Sequence, residues 1–241
     1  MNSGRKFFSF IYNLLPDVFY PRRCIMCDCL INIGKIVCIC RECHQDLKLQ
    51  GQVVRDGEKF FEEVISALVY DGNVKEAMRE FKFRGKTHFA GTFAYAINQK
   101  IKDRDFLKTV SHICPVPIHP LRNREYNQLE HIARGIAKEN SISHIPDMLI
   151  KLCNLKPLST MSFAQRGRMV KSTIGFNVKY NIEGKNICLV DDIYTSGATV
   201  NECARVLRMY GAQNVYVLTA CYALKNDTGG NENAHTNIRS K

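Results

Sequence analysis

Ile187-Cys188-Leu189-Val190-Asp191-Asp192-Ile193-Tyr194-Thr195-Ser196-Gly197-Ala198-Thr199 decides the fold. From Asn186 to Val190 the chain reads as a strand whose four residues after Asn186 are all apolar, as in a strand buried on both faces. Two acids close it. A turn of small hydroxyl residues with Gly197 comes next, and a helical pattern starts at Thr199 and runs to Tyr210, with Gly211 as its stop. Ligands bind at the carboxyl ends of parallel strands in such sheets. The helix N-terminus offers free N–H groups and partial positive charge, which suits a phosphate dianion. Thr195, Ser196 and Thr199 add hydroxyl donors, and Gly197 lets the backbone come close. Adjacent carboxylates repel a phosphate, so Asp191 and Asp192 must face something else. Sugar hydroxyls fit, as does a Mg²⁺ shared with them.

Outward from this corner, strands and helices alternate. Strand patterns cover Val64–Tyr70, Val110–Cys114 and Asn214–Cys221. Helical patterns cover Val74–Phe83, about Thr87–Ile101 and Leu129–Glu139, while Pro146–Leu152 reads either way. This alternation predicts an α/β fold, a mostly parallel sheet with helices on both faces.

The segment before it has a different texture. Eleven cysteines occur in 241 residues, and six lie between Cys24 and Cys43. Cys24-x-x-Cys27 and Cys40-x-x-Cys43 are separated by twelve residues. Four thiolates at about 2.3 Å suit a tetrahedral, structural Zn²⁺, and the metal supplies folding energy that a segment this short lacks. Cys29 and Cys38 offer alternative pairings, and six thiols also suit an iron–sulfur cluster. The other five cysteines sit among apolar residues, as reduced thiols of a cytoplasmic protein do. The division is therefore an apolar, amphipathic helix in 1–20, a zinc ribbon in 21–50, a polar linker from Gly51 to Gly57, an α/β domain in 58–224 and a disordered tail in 225–241. The N-terminal apolar run is too short to span a bilayer; it packs on its own protein or touches a membrane peripherally.

The formal net charge is +11, which calls for an anionic partner. Lys151, Lys156, Arg166, Arg168 and Lys171 fall in a stretch with no acid, a candidate track for a nucleic-acid backbone. Lys82, Arg84 and Lys86 cluster after one helix and Arg122 and Arg124 before another, and Lys82, Lys86 and Arg122 are further candidates for DNA contact. Tyr126, Phe163 and Tyr194 are candidates for base stacking.

Residues 187–199 resemble the fingerprint of type I phosphoribosyltransferases, the site for phosphoribosyl pyrophosphate (PRPP). The resemblance implies that Val190 to Thr199 bind PRPP. Asp191 and Asp192 would hold the ribose 2′- and 3′-hydroxyls, and Thr195, Ser196, Gly197, Ala198 and Thr199 the 5′-phosphate, with Ile193 and Tyr194 between. Pro115-Val116-Pro117 is the corresponding pyrophosphate turn, where a cis peptide is an option. Lys82, Arg84 and Lys86 would neutralise pyrophosphate, and Arg122 and Arg124 would close over it. Asp191, Asp192, Arg84 and Arg124 are the candidate catalytic residues.

Further segments, Phe81-Lys82-Phe83-Arg84-Gly85-Lys86, Pro115 to Pro120, Arg122 to Gln128 and Gln165-Arg166-Gly167-Arg168, together with the Cys ribbon, resemble the ComF family over about Pro16 to Leu224. That resemblance implies a zinc ribbon joined to a phosphoribosyltransferase-like domain. It also implies a role in DNA uptake during natural transformation, with Mg²⁺ and PRPP at the site. Single-stranded DNA and the competence DNA translocase or helicase would be its partners. A true phosphoribosyltransferase of nucleotide salvage or biosynthesis is the alternative. Two positions depart from the family pattern. Arg-Gly-Phe-Asn-Gln is here Arg124-Glu125-Tyr126-Asn127-Gln128, and the Asn expected three residues after Arg168 is Lys171.

Overall fold

The computed structural model describes residues 22–31, 37–47, 50–118, 127–152 and 174–224. The expectations for 1–20 and 225–241, and for Arg122, Arg124, Tyr126, Lys156, Phe163, Arg166, Arg168 and Lys171, lie outside the described residues.

The apolar run with its two acids forms the strand β7. Its predecessors are α1 (Arg41–Asp46), β1 (Gln52–Val54), β2 (Glu63–Val69), α2 (Gly72–Phe83), α3 (Phe89–Ile101), β3 (Val110–Pro115), α4 (Gln128–Asn140), β4 (Ser143–His144), β5 (Leu149–Lys151) and β6 (Ile174–Phe176). β7 itself spans Asn186–Tyr194, and α5 (Ala198–Met209) and β8 (Asn214–Tyr222) complete the order. The main sheet runs β1-β2-β8-β7-β3-β4. Every pairing is parallel except β1 with β2. Ile187 to Val190 are fully buried, between β8, buried from Val217 to Cys221, and β3, buried from Ile113 to Pro115. Consecutive burial means that both faces of the sheet are covered, as the apolar run required. α3 packs against β2 and β8 and α4 against β3 and β7, while α5 packs against β7 and β8. A core edge-to-face contact joins Phe81 of α2 to Phe93 of α3, ring centroids 5.7 Å apart.

Three details differ from the sequence reading. β7 continues four residues past Val190, with Tyr194 in register with Tyr222; the paired strand β8 carries the acids along in the ladder. Gln52 to Val54, expected within a polar linker, form an antiparallel edge strand, with Gln52 opposite Ser66. Its entry is Gly51, at φ +82°, where an added Cβ would lie 2.2 Å from the Ser66 carbonyl oxygen, so only glycine fits there. Every peptide bond among the described residues is trans, those of the Pro115–Pro117 turn included. The ambiguous segment resolves into β5, paired antiparallel with β6 as a separate two-stranded sheet.

The cysteine-rich segment is docked on the α/β domain. The Cys38 amide donates to the buried Thr92 hydroxyl of α3 at 2.9 Å. The Asn73 amide at the start of α2 donates to the Met26 carbonyl at 3.2 Å. Leu47 is buried in the common core.

Candidate functional site

Asp191 and Asp192 are half-buried at the carboxyl end of β7. Successive strand side chains point to opposite faces, and the surroundings of the two acids differ accordingly. Asp191 lies near Cys203 of α5. Asp192 lies near Cys221 and Lys82. The Lys82 ammonium, on the last turn of α2, meets an Asp192 carboxylate oxygen at 2.8 Å, both side chains only about one-fifth exposed (22% and 21%). The Asp192 amide donates to Asp191 Oδ1 at 2.8 Å. Burial pushes the Asp191 carboxyl up to about 7, and the neighbouring Asp192 charge adds to the rise. The Asp192 amide and the Lys82 cation oppose it.

Beyond the acids, the chain turns through a cavity of about 40 Å³ lined by Asp191 and by residues Ile193 to Val200. Gly197 sits there at φ +74°, and a Cβ on it would lie 2.8 Å from the Tyr194 ring. Glycine is thus required for the loop to close over Tyr194. α5 begins at the next residue, and its first amides have no intrahelical partner. The Ala198 amide donates to Ser196 Oγ at 3.4 Å, and with the exposed Thr195, Ser196 and Thr199 hydroxyls these amides line a cradle of donors of the kind that suits an anion. A second cleft, about 410 Å³, adjoins it, with Gln52, Asp56 and Lys59 on one side and Tyr194, Thr195 and Ser196 on the other. The β1 arm supplies that wall, which is why the sequence reading missed it.

The Pro115-Val116-Pro117 turn stands beside the acids because β3 is the neighbour of β7. Its only amide, that of Val116, donates to the Val190 carbonyl at 2.9 Å. The two prolines carry none. From Pro115 to Pro117, therefore, the backbone has no amide left for an anion, and negative charge there must be met by side chains or by residues beyond Pro117. Asn127 and Gln128, to which the sequence motif assigns no role, also meet this region. Asn127 Nδ2 donates to the Val116 carbonyl at 2.9 Å, and Gln128 Nε2 donates to the Lys82 carbonyl at 3.3 Å.

Of the basic candidates among the described residues, Lys82 is at the acids. Arg84, 68% exposed, and Lys86 pair with Glu80 at 3.3 and 2.7 Å. Lys151 closes β5.

In the cysteine-rich segment, the Cys24, Cys27, Cys40 and Cys43 sulfurs all lie within 4.8 Å of one another. Four sulfurs tetrahedral about one ion at 2.3 Å lie roughly 3.8 Å apart; Cys27 and Cys40 are at 3.7 Å. Backbone amides of Met26, Cys40 and Cys43 point at Cys24 or Cys40 sulfur at 3.4 to 3.5 Å, which stabilises thiolates. The donor set fits a tetrahedral metal ion. Cys29 sits beside Cys27 and Cys40, whose thiols push its own up to about 12. No described cysteine is in a disulfide.

A mostly parallel six-stranded sheet, an acid pair at a strand end and a hydroxyl-lined loop into a helix make an α/β protein with the features that the type I phosphoribosyltransferase resemblance implied, here carrying a four-cysteine cluster. No family model matches the chain. The chain is similar to curated competence proteins, and it spans just under two thirds of the length of one of them. It is 30% identical to "Competence protein ComFC" of Bacillus subtilis (strain 168) over 176 residues, which is 70% of this chain and 65% of that protein. It is 23% identical to "Competence protein F" of Haemophilus influenzae over 221 residues, 83% of this chain and 96% of that one. Among solved structures, glutamine PRPP amidotransferase from B. subtilis overlays with a TM-score of 0.43 at 19% identity, covering 59% of this chain and 30% of that one. At that score the overlay adds nothing to what the strand order itself shows.

The raised Asp191 carboxyl has a consequence for stability. Between about pH 4 and 7 the folded chain holds a proton that the unfolded chain has released, so this group's contribution falls as pH rises through that window. Urea unfolding of the ligand-free protein at pH 5 and pH 8 checks it: Asp191→Asn is expected to remove this loss and to gain on the native sequence at pH 8.

Proposed function

We propose that this protein binds PRPP with Mg²⁺ at the acid pair and cradle and serves natural competence by handling incoming single-stranded DNA. One observation carries the ligand assignment: a carboxylate and an amide- and hydroxyl-lined anion cradle share one cavity at the carboxyl end of a central parallel strand. Within it, the 5′-phosphate is taken by the cradle amides and the Thr195, Ser196 and Thr199 hydroxyls. Asp191 accepts from a ribose hydroxyl; Asp192 does so once Lys82 is drawn off it toward pyrophosphate. Mg²⁺, when bound, neutralises pyrophosphate charge.

Glycosyl transfer from such a donor breaks the C1′–oxygen bond, the electron pair leaving on pyrophosphate, and forms a bond from a lone pair of the acceptor to C1′. For this step the chain's own residues position the donor and balance charge, with no covalent nucleophile. The four clustered thiolates hold a structural Zn²⁺ with no open coordination position. The net charge and the acid-free run 151–171 support an anionic polymer as partner, and the names of the ComF relatives support competence as the setting. The competence DNA translocase or helicase is the protein partner in this reading. Buried, reduced thiols at Cys114, Cys188, Cys203 and Cys221 support a cytoplasmic location. Among the described residues no helix is long and apolar enough to cross a membrane; the 1–20 segment supplies any peripheral contact. The second reading, a phosphoribosyltransferase of nucleotide salvage or biosynthesis, is favoured by the 410 Å³ cleft beside the cradle, which has room for an acceptor.

Mg²⁺ with PRPP at about 100 times Kd is expected to stabilise the protein by about 2.7 kcal/mol, a rise in Tm of roughly 5–10 °C for a chain of this size. The Asp191→Ala, Asp192→Ala double variant should lose that rise; an equal rise in both proteins overturns the site. Metal analysis should find one zinc per chain, and Cys40→Ser should abolish it; iron instead of zinc would reject the zinc assignment. Single-stranded DNA affinity should fall with salt at a log–log slope of about −3.5, the value for five neutralised phosphates. A slope near zero would remove DNA as the partner.

A further inference from the structure

The two residues that open α4 touch both loops that flank the acid pair. The carbonyl of Lys82 belongs to the last turn of α2, where the helix leaves carbonyls without an intrahelical partner. Gln128, 9% exposed, supplies the missing donor from another helix at 3.3 Å. Next to it, Asn127 works with both ends of its amide. Its oxygen caps α4 by accepting from the Leu129 amide at 3.1 Å, and its nitrogen holds the Val116 carbonyl at 2.9 Å. The Val116 amide is already tied to Val190, so the turn is pinned on one side to β7 and on the other to α4. On the far side, Lys82 is pinned by its carbonyl while its ammonium reaches Asp192 at 2.8 Å.

We infer that Asn127 and Gln128 are the positioning residues of the candidate site: Asn127 sets the Pro115–Pro117 turn, and Gln128 aims Lys82 at Asp192. This rests on the PRPP reading only for what the positioned groups bind. The two jobs of Asn127 reside on different atoms and are separable. Aspartate keeps the oxygen that caps α4, at which it is as good as asparagine. It lacks the N–H₂ that grips Val116 and opposes that carbonyl with a negative charge. Gln128→Met fills the same space without a donor.

The test uses the full, metal-loaded chain. Without ligand, amide hydrogen exchange at Val116 should quicken in Asn127→Asp by about three- to tenfold, the range of one lost hydrogen bond, while the Leu129 amide stays protected. In Gln128→Met, the Asp191 carboxyl, followed by ¹³C NMR, should titrate at higher pH as the Lys82 cation drifts away. With Mg²⁺ and PRPP, each variant should bind about three- to tenfold more weakly. Gln128→Met should cost nothing further in a Lys82→Met background, because both act through one ammonium. Wild-type exchange at Val116 together with wild-type PRPP affinity in Asn127→Asp overturns the inference. So does a Gln128→Met loss that adds in full to that of Lys82→Met, which marks Gln128 as a general packing residue. A native protein that ignores Mg²⁺ and PRPP, with the exchange and titration changes present, leaves the positioning standing and rejects the ligand.

Discussion

The structure depends on charge delivered by a buried strand. Four fully buried residues, Ile187 to Val190, carry two carboxylates to the edge of the core. Full ionisation of both, side by side and half-buried, is costly. One remedy is the Lys82 cation on Asp192; the other is proton retention by Asp191 near neutral pH. Each element around the site answers this constraint. α2 ends where Lys82 is needed, and α5 starts where its amides face the cradle. The β3 turn meets the acids only as far as its bond to Val190 allows.

Much of this was legible in the residues. A short apolar run between a glycine and a turn reads as a doubly covered strand, and a small-residue loop before a helix reads as an anion cradle or a plain corner. The paired C-x-x-C spacings brought the same four sulfurs together that the structure does. What stayed hidden was whatever depends on tertiary partners. Val53 and Val54 in a polar stretch look like linker, because only pairing with β2 makes them a strand. Lys82 reads as one of three similar cations, yet only the end of α2 decides that it reaches Asp192 while Arg84 and Lys86 turn to Glu80. Asn127 carried a visible signal, an asparagine just before a helix. Its grip on Val116 across eleven residues did not.

The cysteine cluster is part of the same body as the sheet. Cys38 is tied to Thr92 inside α3, and Met26, between two cysteines of the cluster, is tied to Asn73. A segment of this length cannot bury enough apolar surface to fold alone. Here it gains a neighbour as well as four converging sulfurs.

α2 draws these parts into one line. Twelve residues long, it spans about 18 Å at 1.5 Å per residue. Its first turn is latched to the loop between Cys24 and Cys27, and its last turn holds the counter-ion of the acids. The helix is thus a strut between the sulfur centre and the carboxylates. Through that rod, the position of the sulfur centre and the counterweight of the carboxylate pair are set by one and the same element.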